Sequence, residues 1–180
     1  MREPSIILIT GIMASGKSTT AQRLAERLPK SVHLRGDVFR RMIVNGQAAI
    51  TDPLTDEAWK QLRLRYRVAA SAAQIYCDAG FTVVYQDVIL GPVLTEVVDM
   101  LRGKYPVHVV VLCPSAEVVA KREAARHKTG YTSWSPDALD RELRTNTPKI
   151  GIWLDTSHLT LEQSVTAILA RIDEAVVERG

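Results

Sequence analysis

The chain has 180 residues, 46% of them hydrophobic and 24% charged, with a formal net charge of +3; that length suffices for one domain with a real core and falls short of two ordinary ones. No Pro/Gly/Ser-rich linker, repeat or low-complexity tract interrupts it, which excludes extensive disorder, and its arginines are spread through several predicted helices, which suits an anionic nucleotide better than a dedicated nucleic-acid surface. The two cysteines, Cys77 and Cys113, lack C-x-x-C spacing, and His33, His108, His127 and His158 are scattered without metal-ligand spacing, so a zinc site is not expected and a reducing cytoplasm is.

Ser5-Ile-Ile-Leu-Ile9 reads as a first strand, far too short for a signal-peptide core or a membrane span. It leads directly into Gly11-Ile-Met-Ala-Ser-Gly16-Lys17-Ser18, a complete G-x-x-x-x-G-K-S phosphate-binding loop. Such a loop carries little Cβ bulk, so its backbone N–H groups wrap an anionic phosphate, with Lys17 as a point charge and Ser18 as a Mg²⁺ ligand. Gly11, Ala14, Ser15, Gly16, Lys17, Ser18 and Thr19 are the expected nucleotide contacts. Thr19 to Leu28, with Leu24 and Leu28 four apart, reads as a helix opening on the loop, and its macrodipole adds favourable potential for phosphate.

Ser31-Val-His-Leu34 reads as a short second strand, and Gly36-Asp37 opens a helix running through Phe39 and Ile43 toward Gly46. After a looser stretch from Gln47 to Leu54, Thr55 caps a long helix from Asp56 to Ala79. Its stripe is Leu62, Tyr66, Ala69, Ala73 and Tyr76, and Gly80 is its stop. Within it Trp59, Lys60, Arg63, Arg65, Tyr66 and Arg67 interleave aromatics with cations, a pattern that also binds nucleic acid. Helical phasing argues against one patch: Trp59, Leu62 and Tyr66 fall on the buried stripe, Arg63 and Arg67 point elsewhere and Arg65 elsewhere again. Core and acceptor-pocket wall is the preferred reading.

Phe81-Thr-Val-Val-Tyr85 is a third strand, Pro92 begins a helix continued by Val93 to Leu101, and Val107 to Leu112 is a strand whose lack of alternation implies burial on both faces. Ser115 caps a helix ending near Arg126, and after the polar span His127 to Trp134 the run Ser135-Pro136-Asp137 starts another. Ile150 to Leu154 is a fifth strand. Thr160-Leu-Glu-Gln163 is a capping box opening a last helix with Val165, Ile168, Leu169, Ile172 and Val176 buried. Strands alternating with helices predict an α/β fold, a three-layer parallel five-stranded sheet flanked by helices, as one domain over 1–180. Ligands bind such sheets beyond the carboxyl ends of the strands, where Gly11, Asp37, Asp87 and Cys113 emerge.

No N-K-x-D guanine-recognition sequence occurs, and the chain lacks the length and second domain of an oligomeric AAA machine. The P-loop, Gly36-Asp37, Asp87-Val-Ile-Leu-Gly91, Arg122-Glu-Ala-Ala-Arg126 and Leu154-Asp-Thr-Ser-His158 together resemble the chloramphenicol phosphotransferase-like small P-loop kinases, within the adenylate-kinase-like group. The resemblance covers most of the chain and implies a P-loop kinase that moves the ATP γ-phosphate, with Mg²⁺, to a hydroxyl of a small molecule.

Under that resemblance Asp37 receives the acceptor's proton. An ordinary aspartate is ionised at neutral pH and orients an O–H although it is a weak base. The alternative for Asp37 is a helix N-cap. Arg40 or Arg41 anchors the acceptor or pairs with Asp37 at i,i+4 spacing. Asp87 holds Mg²⁺ or contacts the acceptor, although Gln86-Asp87 stands where some members carry two acids. Arg122 and Arg126 share a helix face and lead into a lid around 122–135, with Arg126 on the transferring phosphate, Arg122 beside the adenine, and Asp155-Thr156 completing the base pocket. The acceptor is an antibiotic or metabolite. The rivals are a polynucleotide 5′-hydroxyl kinase, with steep salt dependence, and a nucleotide-dependent regulatory protein with slow ATPase activity. Neither a membrane nor a nucleic acid is the expected partner.

Overall fold

The computed structural model describes residues 4–125 and 135–177. Five strands, β1 (Ile6–Thr10), β2 (Ser31–Arg35), β3 (Thr82–Gln86), β4 (Val107–Leu112) and β5 (Ile152–Leu154), form one parallel sheet in the order β2-β3-β1-β4-β5. In the register of the three inner strands, Ile6 lies opposite Val83 on one side and Val107 on the other. Every residue of β1 and β4 is buried, which is why neither run alternates: both faces of the sheet are covered.

The described helices are α1 (Lys17–Arg27), α2 (Gly36–Arg41), α3 (Asp56–Asp78), α4 (Val93–Leu101), α5 (Ala116–Ala124), α6 (Pro136–Arg141) and α7 (Leu161–Ala170). Strand parity sorts them into layers. Ile6 and Leu8 pack with Tyr66, Ala69 and Ala73 of α3, Leu94 and Val97 of α4, Val119 of α5 and Leu139 of α6. Ile7 and Ile9 face the other way, onto Ala21 and Leu24 of α1 and Val165 and Ile168 of α7. Each such aliphatic side chain contributes about 1.5–3 kcal/mol on full burial, and together they fix the sheet between its layers. No described helix is long and apolar enough to cross a membrane.

Local signals set most boundaries. The Thr55, Ser115 and Ser135 hydroxyls accept from the N–H groups of Ala58, Val118 and Ala138, and Thr160 with Gln163 forms a reciprocal capping box. Where the chain departs from expectation, a competing hydrogen bond or the helical repeat accounts for most cases. The helix after β2 stops at Arg41 instead of running toward Gly46, because the Gln47 amide takes the Arg40 carbonyl (2.9 Å) and Gln61 of α3 holds Gly46 and Ala48 (2.8 Å each). On α3, Cys77 is buried and Tyr76 is 41% exposed. Eleven residues complete close to three turns, so Cys77 returns to the Tyr66 face and Tyr76 falls short by roughly 80°. The last helix ends at Ala170 and gives way to a 3₁₀ turn, Ile172–Ala175, because β4 claims the backbone beyond it: His108 bonds the Ile172 carbonyl (2.9 Å) and Val177 donates to Val107 (2.9 Å). Val176 therefore leaves the buried stripe. Strand β5 begins at Ile152, since Gly151, at φ +68, crosses so close to the Val109 carbonyl that a Cβ would overlap it. A π-helical turn, Glu142–Asn146, extends α6.

Candidate active site

The phosphate loop leaves the carboxyl end of the central strand. Gly11 (φ +145) and Gly16 (φ +95) take conformations that L side chains rarely adopt, and a Cβ at Gly11 would run into the Leu112 carbonyl. Ala14 adopts φ +60 as the non-glycine exception. The loop closes through Ser15 N–H to the Ile12 carbonyl (3.2 Å) and hands over to α1 through Thr20 N–H to the Gly16 carbonyl (2.9 Å). The first turn of α1 holds no acidic residue, so its positive end faces the cleft without internal compensation. Lys17 is buried and donates to the Ile12 carbonyl (2.7 Å), curled over the loop. The Ser15 hydroxyl is buried with no hydrogen-bond partner. Ser18 and Thr19 are exposed in the cleft, and the Ser18 hydroxyl donates to Gln86 Oε1 (3.3 Å).

Arg122 of α5 reaches back to the loop. Its guanidinium donates to the Ser15 carbonyl (3.2 Å) and to the Thr156 carbonyl (3.2 Å), clasping the phosphate loop to the segment after β5. That segment is shaped by Asp155, which accepts from the Ser157 N–H (2.8 Å), and by Ser157 Oγ, which accepts from the Ser115 N–H (2.7 Å). The Ser157 hydroxyl, which also donates to Asp155, and the Ser157 N–H hold the Asp155 carboxyl below the usual carboxylate range. Thr156 is buried and its hydroxyl has no partner. The two unpartnered hydroxyls, on Ser15 and Thr156, thus lie on segments joined by one arginine. Arg126 and the segment 126–134 of the expected lid lie outside the described residues.

The other end of the cleft begins at α2. Asp37 lies in its first turn, while Arg35 occupies the N-cap position and no side-chain cap bond forms. The N-cap alternative for Asp37 is therefore not what the chain does. Its carboxylate is half exposed and pairs with Arg41 (3.1 Å) one turn on. Arg40, expected at the acceptor, turns to the Ala48 carbonyl (2.5 Å) and lines the loop instead of the cleft.

Asp87 departs most from expectation. Its side chain is 3% exposed, and Arg65, itself 11% exposed, donates to it through Nε (2.9 Å) and Nη2. The Val88 N–H (2.7 Å) and Tyr85 hydroxyl (3.2 Å) supply the remaining bonds. A Cβ at Gly36 would occupy the same space as the carboxylate, so α2 starts directly above the pair. Burial pushes the Asp87 carboxyl up, and Arg65 opposes that. The Arg65 guanidinium is raised despite burial, chiefly by Asp87, and burial pushes the Tyr66 and Tyr85 hydroxyls well up. An aspartate engaged in this way is an anchor for Arg65 and offers no free oxygen pair to a metal.

Strand parity explains the arrangement. Successive residues point to opposite faces, so Tyr85 and Asp87 turn toward α3 while Gln86 turns toward α1 and meets Ser18. Reading the strand end with this alternation would have singled out Gln86. Arg65 was legible too: positions 62, 65, 66 and 69 form an i, i+3, i+4, i+7 set on one helix face, so Arg65 points inward with Leu62 and Tyr66 instead of away from them. Arg63 pairs with Glu96 (3.0 Å) and lies over Trp59, so the cations and aromatics of α3 do not make one nucleic-acid surface.

One cleft of about 1240 Å³ joins the two ends. Ala14 to Thr20, Arg122 and Thr156 line it, together with Asp37, Arg41, Trp59, Leu62, Arg65 and Tyr66. Among the described residues no group of three or more His, Cys, Asp or Glu side chains is placed to hold a metal ion. A cation here would take its ligands from Ser18 and from the oxygens of a bound phosphate.

Solved structures share this fold. A sugar kinase from Janibacter sp. HTCC2649 superposes with a TM-score of 0.69 at 23% identity over 96% of each chain. The tunicamycin resistance protein of Deinococcus radiodurans gives 0.66 at 18% identity, over 98% of this chain and 100% of that one. A gluconokinase from Sinorhizobium meliloti 1021 gives 0.63 at 22% identity, over 96% and 94%. No curated protein matches the chain by sequence. At these identities the likeness is one of fold, and it is the α/β P-loop kinase fold. The sequence adds the family: residues 6–148 match the AAA domain family, to which this chain belongs.

Proposed function

We propose that this protein is an ATP- and Mg²⁺-dependent phosphotransferase that moves the γ-phosphate to a hydroxyl of a small molecule, in the manner of the chloramphenicol phosphotransferase-like kinases it resembles. The observation that carries the reading is the single cleft lined both by a complete phosphate loop and by Asp37. A protein that only sensed nucleotide would need the phosphate loop alone.

The loop amides and the α1 N-terminus bind the phosphates, and Lys17 adds a point charge. The buried, unpartnered Ser15 hydroxyl fits such a polyanion, since it sits inside the cradle with no protein acceptor or donor. The exposed Ser18 hydroxyl would hold Mg²⁺, whose contribution when bound is to neutralise charge on the transferred group. Asp37 accepts the proton of the acceptor hydroxyl as the new O–P bond forms and the bond to the β-phosphate oxygen breaks, with ADP leaving. The Arg41 pair aims the carboxylate. Phosphoryl transfer is largely dissociative, so this base contributes roughly 10²–10⁴-fold and positioning the rest. Arg122 and Thr156 form the nucleotide wall, and the contact of Arg126 with the transferring phosphate is part of the same reading. The acceptor end, with Trp59 and Leu62 beside Arg65, fits a small ring or chain bearing the hydroxyl.

Mass-resolved transfer from ATP to a panel of hydroxylated antibiotics, sugars, nucleosides and a 5′-hydroxyl oligonucleotide tests the reading. Gain of one phosphoryl group by a small molecule is expected, abolished in Lys17→Ala and lowered by about 10²–10⁴-fold in Asp37→Asn with ATP affinity kept. Labelling of the oligonucleotide alone, with steep salt dependence, would replace it by the polynucleotide-kinase rival. Slow hydrolysis with no labelled acceptor would favour a regulatory protein.

A further inference from the structure

The phosphate loop's serine has an uncharged partner. In a site where Ser18 is to bind a cation, its hydroxyl proton must point away from that cation so that a lone pair faces the cleft. A buried acceptor behind it does this, and a carboxylate would do so while adding a negative charge. Here the acceptor is Gln86, buried at the end of β3 and held opposite Ile9 and Arg35 by the sheet register. Ser18 donates to its Oε1 at 3.3 Å. The neighbouring carboxylate cannot take over the role: parity turns Asp87 to the other face of the sheet, where Arg65, Tyr85 and Val88 hold it.

We infer that Gln86 is the positioning residue for Ser18, and that its neutrality uncouples nucleotide binding from the metal. The inference rests on the ATP- and Mg²⁺-dependent reading above and adds a regulatory property to it. ATP without a divalent ion carries its full negative charge into the loop. A carboxylate at residue 86 would repel it until a cation intervened; an amide does not. The protein therefore binds metal-free ATP nearly as well as MgATP, and the metal is needed for transfer and not for docking.

The test is calorimetric titration at pH 8 with a non-hydrolysable β,γ-imido ATP analogue, once with excess Mg²⁺ and once with chelator, on the full chain. The wild-type protein is expected to show dissociation constants within about threefold of each other. Gln86→Glu adds one charge at the Ser18 hydroxyl of the phosphate loop, and at an effective dielectric near 20 this widens the ratio by about tenfold or more, through loss of metal-free binding. Gln86→Leu frees the Ser18 hydroxyl to rotate, so MgATP affinity falls about fivefold while metal-free affinity stays. Because the readout is a ratio within one variant, a general loss of folding does not mimic it. Equal losses in both buffers for Gln86→Leu, or an unchanged ratio in Gln86→Glu, overturn the inference alone and leave phosphoryl transfer standing. Failure of the wild-type protein to bind the analogue in either buffer removes the phosphotransferase reading and this inference together.

Discussion

Replacing Arg65 by methionine keeps much of the side-chain volume and removes the charge that faces Asp87. The carboxylate then stays buried at 3% exposure with the Val88 amide and the Tyr85 hydroxyl as its remaining donors. Breaking a buried pair from one side costs about 3–5 kcal/mol, because the surviving charge has neither water nor a counter-ion. For a chain of this size a change of 1 kcal/mol moves the melting point by about 2–4 °C, so Arg65→Met should lower Tm by about 6–20 °C. Removing both charges in Arg65→Met/Asp87→Asn should recover most of that loss, since replacing a whole buried pair is often close to neutral. Urea unfolding followed by circular dichroism, with the single variants and the double variant measured together, gives the coupling directly. A single variant within about 1 kcal/mol of the wild type would refute the claim that this pair is a closed unit. So would a double variant no more stable than Arg65→Met.

Three further outcomes are expected. Arg122→Ala removes the clasp between the Ser15 and Thr156 carbonyls, and should weaken ATP binding about tenfold with little change in Tm, since two charge-assisted hydrogen bonds at the cleft are lost without leaving a buried charge; equal ATP affinity in the variant would show that the clasp does not organise the nucleotide wall. Gly36→Ala forces a methyl group into the space of the Asp87 carboxylate, so both Tm and transfer should fall, and a fully stable variant would contradict the packing of α2 on the pair. His33 is pushed down to about 4 by burial and by the nearby Arg35 charge. The unfolded imidazole takes up its proton near pH 6.5, so stability should fall as the pH drops from about 7 toward 4, and His33→Gln should flatten that limb of a Tm-against-pH curve.

How far the chain could be read before its structure depends on the range of the interactions involved. The phosphate loop is local chemistry: glycines at required backbone angles, a lysine, a hydroxyl and a helix start, all within ten residues. The caps at Thr55, Ser115, Ser135 and Thr160 are local too and were legible for the same reason. Asp87 was not. Its partner Arg65 lies 22 positions earlier on another element, and a carboxylate at a strand end looks the same in sequence whether a metal or a guanidinium faces it. The ends of α2 and α7 were misplaced because Gln47, Gln61 and His108, none of them on those helices, compete for the backbone there. Arg40 was misassigned through the same kind of bond, to the Ala48 carbonyl.

The strand order has a consequence for how this molecule can change over time. The phosphate loop springs from β1, which is flanked by strands on both sides, whereas α2 and the segment 42–55 spring from β2, at the edge of the sheet. Opening the first requires breaking two ladders; opening the second requires one, plus side-chain ties that include those of Arg40, Gln47 and Gln61. Amide exchange should therefore be slower along β1 and β4 than through 42–55. Under the proposed phosphotransferase reading, substitutions in 42–55 fall on the region whose rearrangement costs least, while the phosphate loop is insulated from them. On that reading a lineage of such proteins can trade one acceptor for another by altering that margin and inherit the transfer chemistry unchanged.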